Sequence, residues 1–98
     1  MPFEEEQYQL DNLSARKVAD SGIQLGWAPP RATGGYDLQV YRSSGAEAVQ
    51  PFARLTGEAE QFVDSSPAPG AVYNYAVQAI LKDGRKGKRS AVVSVWYE

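Results

Sequence analysis

Between Pro69 and Ala79 the chain reads Pro-Gly-Ala-Val-Tyr-Asn-Tyr-Ala-Val-Gln-Ala, a turn signal that runs straight into strict alternation. Successive side chains of an extended strand point to opposite faces, so Tyr73, Tyr75, Val77 and Ala79 share one side and Asn74, Ala76 and Gln78 the other. The pattern predicts a half-buried β-strand, and the rest of the chain repeats it.

Ile23, Leu25 and Trp27 alternate with Gln24 and Gly26 until Pro29-Pro30 removes two backbone donors and stops the ladder. After a loop at Arg31 to Gly35, Tyr36, Leu38 and Val40 alternate with Asp37, Gln39 and Tyr41, and Ser43-Ser44-Gly45 closes the run. Short extended runs follow at Phe52 to Leu55, Gln61 to Asp64, Val72 to Lys82 and Ala91 to Tyr97. Leu10, Leu13, Ala15 and Val18 fit neither the strand nor the helix period, and we read them as a first strand. About seven strands in about 90 residues is the signature of a sandwich of two antiparallel sheets. Its expected core is Leu13, Ile23, Leu25, Trp27, Tyr36, Leu38, Val40, Phe62, Tyr73, Tyr75, Val77, Val93 and Val95, with Trp27 at the centre.

The chain of 98 residues has room for one domain, expected over residues 9–98 behind a flexible acidic lead-in at residues 1–8, where Glu4-Glu5-Glu6 stands. It contains neither histidine nor cysteine, which removes the commonest general base and metal ligand as well as disulfides and zinc thiolates. No enzyme activity, cofactor or metal is expected. Ten basic and twelve acidic residues leave a formal charge of −2, so no global field draws the chain to nucleic acid or anionic lipid. No apolar run reaches the roughly 18 residues of a membrane span. The N-terminus lacks the pattern of a signal peptide, which would have to lie outside this chain if the parent protein is exported.

With Ile23-Gln24-Leu25-Gly26-Trp27-Ala28-Pro29-Pro30, Gly35-Tyr36, Tyr41-Arg42 and Asp64 to Tyr73 in that order, the chain resembles a fibronectin type III domain over roughly residues 10–97. The resemblance implies a seven-stranded, immunoglobulin-like, all-β sandwich. It matches Trp27 to the tryptophan that ends the second strand before prolines, and Tyr73 to the tyrosine whose hydroxyl bonds back to backbone near Pro67 to Pro69 and pins a corner. Two departures are Pro67, where the family usually has leucine, and the small Ala79. The resemblance also implies an extracellular or cell-surface setting, termini at opposite ends, and binding through the loop joining the last two strands, residues 82–89, and the one at Ala28 to Gly35. The Arg-Gly-Asp tripeptide of some members is absent here.

The run Lys82-Asp83-Gly84-Arg85-Lys86-Gly87-Lys88-Arg89 carries half of the basic residues, and its Asp83-Gly84 turn lifts them into solvent. Arg85, Lys86, Lys88 and Arg89 are candidate contacts for an acidic glycan or protein face. The plainer alternative is a solvated turn whose charges blunt a sheet edge. Glu4 to Glu6 are expected at the same pole as this loop. Trp96, outward if Val93 and Val95 point inward, is a candidate contact for a neighbouring domain or a sugar ring. Asn12-Leu13-Ser14 matches a glycosylation acceptor, but Leu13 is wanted in the core, so coincidence is the better reading. Asp20, Asp37 and Asp64 lack calcium-loop spacing.

Three functions remain open on these residues. The first is a monomeric, non-catalytic spacer or protein-interaction module of a larger exported or cell-surface protein, whose partners are neighbouring domains or another protein. The second is a carbohydrate-binding accessory module using exposed Tyr41, Trp96 and the basic loop 82–89. The third, an enzyme, needs Asp37 and Asp64 to converge in a cleft.

Overall fold

The computed structural model describes residues 5–18, 22–30 and 35–98, without the side chains of Glu5 and Glu6. Seven strands follow a one-turn 3-10 helix at Glu5–Tyr8: β1 (Asp11–Val18), β2 (Gly22–Ala28), β3 (Tyr36–Ser44), β4 (Gln50–Thr56), β5 (Gln61–Asp64), β6 (Ala71–Leu81) and β7 (Val93–Tyr97). They form two sheets, β1-β2-β5 and β4-β3-β6-β7, in which every pairing is antiparallel. This is the all-β, two-sheet sandwich the alternation predicts. The loop expected at Arg31 to Gly35 lies, apart from Gly35, outside the described residues, as does Asp20.

The longest ladder pairs β3 with β6 over nine residues, from Tyr36–Leu81 at one pole to Ser44–Tyr73 at the other. Even-numbered β3 residues and odd-numbered β6 residues face the second sheet. There Leu38, Val40, Tyr75, Val77 and Ala79 are fully buried against Ile23 and Leu25 of β2. Each such aliphatic chain contributes roughly 1.5–3 kcal/mol of transfer free energy before entropy is charged. The small Ala79 keeps its place in this layer without leaving an exposed gap. Trp27 is buried at 7 % exposure at the end of β2, where its Nε1–H donates to the Ala59 carbonyl at 3.0 Å; among the described residues the fully enclosed aromatic is Tyr75.

Three details differ from the sequence expectation. Leu10, not Leu13, is the nearly completely buried residue of the first segment, at 1 % exposure. A register shift between Asp11 and Ser14, with Asn12 at φ 57°, inserts an extra residue there. That bulge is why the apolar spacing matches no single period. Phe62 is half-buried rather than interior, because β5 is a sheet edge and its ring meets Phe52 edge-on at 6.3 Å. Tyr8, assigned to the solvated lead-in, packs on the core with its ring 6.0 Å from Tyr36 in a T-shaped contact. A glutamate run beside it conceals this anchor in the sequence.

The corner before β6 is closed by Tyr73. Its hydroxyl accepts from the Ala68 N–H at 2.8 Å and lies 3.4 Å from the Ala68 carbonyl, within the Pro67 to Pro69 stretch where the resemblance puts that bond.

Candidate functional site

The segment after β6 is not a free loop. Gly84, at φ 93°, turns the chain, and the backbone then climbs back along β6 through Leu81 N–H to Arg85 O (2.7 Å), Gly87 N–H to Ala79 O (2.9 Å) and Ser90 N–H to Val77 O (2.9 Å). The Ser90 hydroxyl takes the Val77 N–H at 2.9 Å, where a regular ladder would use a carbonyl. That substitution, with an isolated bridge between Ile80 and Lys86, explains why β7 starts at Val93 rather than at Ala91. Gly87 has no room for a side chain, since a Cβ would lie 2.5 Å from Tyr8 Cβ. The cations are therefore presented from a backbone held on two sides.

They are not equivalent. Arg85 Nε–H donates to Asp83 Oδ2 at 2.8 Å, and the Arg85 backbone N–H donates to Asp83 Oδ1 at 3.1 Å. The backbone bond first, helped by the guanidinium, holds the Asp83 carboxyl below the usual carboxylate range. Arg89 lies over the Tyr41 ring, its guanidinium carbon 5.5 Å from the centroid. Lys86 is opposite Ile80, a position that shares the outer face of the four-stranded sheet with Gln78 and Asn74. Lys82 and Lys88 are exposed at the hairpin. Glu4 and the side chains of Glu5 and Glu6, expected near these cations, lie outside the described residues.

On that outer face Tyr41, expected to be exposed, is buried at 8 % exposure. Arg89 covers its ring, and its hydroxyl donates to Gln78 Oε1 while Gln78 Nε2 donates to the Gly87 carbonyl at 2.8 Å. Tyr41 is thus unavailable for stacking on a sugar. Gln39 Nε2 donates to the Ala53 carbonyl at 2.9 Å, and Arg54 Nε–H reaches Gln39 Oε1 at 3.3 Å. Farther along, Ser94 Oγ–H donates to Asn74 Oδ1 (2.6 Å), and Asn74 Nδ2 donates to Ser43 Oγ (3.0 Å) and to the Gly45 carbonyl (2.8 Å). Trp96 pairs with Val72 at the end of this strip and is 54 % exposed. Val93 and Val95 are half-buried on the inner side.

The Asp37–Asp64 pair needed for carboxylate catalysis does not form. Asp37 is on the outer face, 3.8 Å from Arg54, whereas Asp64 points into the sandwich. Asp64 accepts from Arg42 (2.9 Å), the Tyr75 hydroxyl (2.7 Å), the Ser66 hydroxyl (2.7 Å) and the Ser66 N–H (3.0 Å). Burial pushes its carboxyl up, but the hydrogen bonds from Ser66, Tyr75 and Arg42 together leave it below the ordinary value. Burial and this bond raise the Tyr75 phenol in turn. The Arg42 guanidinium is stacked 4.0 Å from the Phe52 centroid. Sequence reading overlooked this inter-sheet cluster, although Arg42 and Asp64 both stand at inward phases of their strands.

No family model and no curated protein matches the chain. Solved structures do. A fibronectin type III-like protein from Clostridium thermocellum is 24 % identical with a TM-score of 0.70, each chain covered to 91 %. The sixth fibronectin type III domain of human fibronectin type III domain containing protein 3 is 18 % identical with a TM-score of 0.72, over 91 % of this chain and 83 % of that one. Pectate lyase PelI from Erwinia chrysanthemi, in complex with tetragalacturonic acid, is 22 % identical with a TM-score of 0.75, over 89 % of this chain but only 28 % of the lyase.

Proposed function

We propose, from the premise that this chain has the fibronectin type III fold, that it is a non-catalytic module of a longer exported or cell-surface protein, holding its neighbours apart. One observation carries the reading: the backbone enters and leaves at opposite poles. Tyr8 packs beside Tyr36 and Gly87 at one end of the β3–β6 ladder, while Tyr97 pairs with Ala71 beyond its other end. That ladder alone is about 27 Å long, in a molecule measuring 47 × 24 × 19 Å. The match within a longer chain, 28 % of the pectate lyase, supports a modular role. Two copies joined in tandem test it by small-angle scattering. The expected maximum dimension is close to twice the long axis, and a compact, folded-back pair would overturn the reading.

A second reading, binding of an acidic glycan, is favoured by the charge distribution. Residues 82–89 carry a formal +4 and the remainder of the chain −6, so the cations form one local pole on an acidic body. The pectate lyase neighbour was solved with an acidic oligosaccharide. Titration with sodium polygalacturonate, followed by NMR shifts, tests it; unchanged spectra would remove it.

A further inference from the structure

The geometry points to the outer face of the β4-β3-β6-β7 sheet as a binding strip for a linear, carboxylate-bearing oligosaccharide, with Arg54, Lys86 and Arg89 meeting carboxylates at one end and Trp96 stacking on a sugar ring at the other. The assignment rests on the acidic-glycan reading and adds where the chain of sugars lies and which residues hold it.

The register supplies the layout. The cross-strand rows Asp37–Ile80, Gln39–Gln78, Tyr41–Ala76 and Ser43–Asn74 set the spacing along β3 and β6, and Val72–Trp96 follows on β7. Lys86 extends the first row through its bridge to Ile80, and Arg54 extends the second through its pairing with Gln39. Arg89 stands over Tyr41 in the third. From Gln78 to Val72, six residues of strand, the strip runs about 20 Å. It therefore suits an extended polymer better than a compact ligand.

Charge sets the occupant. Arg54, Lys86 and Arg89 are all exposed, and the carboxylate among these rows is Asp37, already 3.8 Å from Arg54. Arg89 is also fixed by its contact with Tyr41, so its fork is partly pre-organised for a carboxylate. Among the cations lie the Gln39 and Gln78 amides, and between the cations and the indole the Ser94 and Asn74 side chains, each able to exchange or share a hydrogen bond with sugar hydroxyls. An acidic protein face would satisfy the cations equally well, but a flat indole beside a row of amides and hydroxyls matches in addition the apolar face and the hydroxyl rim of a pyranose ring. That difference favours a sugar polymer.

The test is NMR titration of the intact chain with oligogalacturonate, poly-glutamate and a neutral oligosaccharide of matching length, repeated on the double variant Arg89→Gln with Lys86→Gln and on Trp96→Ala. The Tm of each variant checks its folding. The strip predicts shifts at the Trp96 indole N–H and along β6, no shifts with the neutral sugar, and about tenfold weaker binding for the double variant R89Q/K86Q. Trp96→Ala should weaken oligogalacturonate but leave any poly-glutamate contact unchanged. Binding of oligogalacturonate confined to Lys82 and Lys88, with Trp96→Ala silent, overturns the strip while leaving the acidic-glycan reading standing. Poly-glutamate binding as tightly as the sugar, with the same residues shifted, overturns the sugar assignment. No response to any acidic glycan removes both.

Discussion

Two arginine–aspartate pairs of nearly equal length stand in opposite surroundings. Arg42–Asp64 spans 2.9 Å between the sheets, with side chains 26 % and 1 % exposed; Arg85–Asp83 spans 2.8 Å in the hairpin, with both 54 % exposed. Distance does not distinguish them, and chemistry does not either. The first pair was taken out of water and is retained by two further partners of Asp64, Tyr75 and Ser66. The second remains hydrated, where attraction is screened and side-chain ordering cancels much of what remains. The lesson is that burial, not contact geometry, decides which pair the fold depends on.

The sharpest way to break this comparison is Asp64→Ala. It leaves the fully buried Tyr75 phenol without its acceptor and the mostly buried Arg42 guanidinium with the Ser66 hydroxyl but no counter-charge, a loss expected at about 3–5 kcal/mol. Against a total stability of about 5–15 kcal/mol, chemical denaturation should reveal a domain close to its folding threshold. A shift of less than about 1 kcal/mol would mean that water reaches the site and that the pair is no different from the exposed one. Tyr75→Phe comes next, because it removes one donor and keeps the ring. Asp64 retains Arg42 and Ser66, so the expected loss is about 1–3 kcal/mol.

The pH dependence sharpens the same contrast. The Asp64 carboxyl lies below its ordinary value when folded, so its contribution is present above the unfolded-state value of about 4 and is lost as pH falls from there through the folded value. The wild-type Tm should fall through that acid window more steeply than the Tm of Asp64→Asn, whose side chain does not ionise. Parallel curves for the two proteins would assign acid sensitivity to other carboxylates.

The strands were readable because period-two alternation is a local property, complete within five to nine residues at β2, β3 and β6. At β1 it failed for a local reason: the bulge around Asn12 shifts phase once, so Leu10 and Leu13 both face inward at an odd spacing. The basic run was visible as composition, but its division was not. Whether Arg85 folds onto Asp83 or Arg89 onto Tyr41 depends on the path of the hairpin, fixed in part by Gly87 against Tyr8 across the whole chain. Arg42–Asp64 joins residues 22 apart in different sheets. The available signal was phase: an arginine following Tyr36, Leu38 and Val40, and an aspartate following Phe62, each in an inward position. Opposite charges on two buried phases call for each other, since neither is stable alone in that layer.

The smallest effect is expected from Arg85→Ala. It deletes the exposed ion pair but spares the Asp83 carboxylate that caps the Arg85 backbone N–H, a bond that does not depend on the side chain. The denaturation midpoint should match wild type at both low and high salt. A midpoint that falls, and falls less in high salt, would show that the hairpin pair contributes despite its exposure, and the contrast with Asp64 would become one of degree. The same variant lowers the formal charge of residues 82–89 from +4 to +3, so any polyanion held by the loop as a whole should weaken with it. Ligand held on the sheet face by Lys86 and Arg89 should respond far less. Stability and binding therefore separate at this residue: the pair that contributes least to the fold still reports which part of the basic segment a ligand uses.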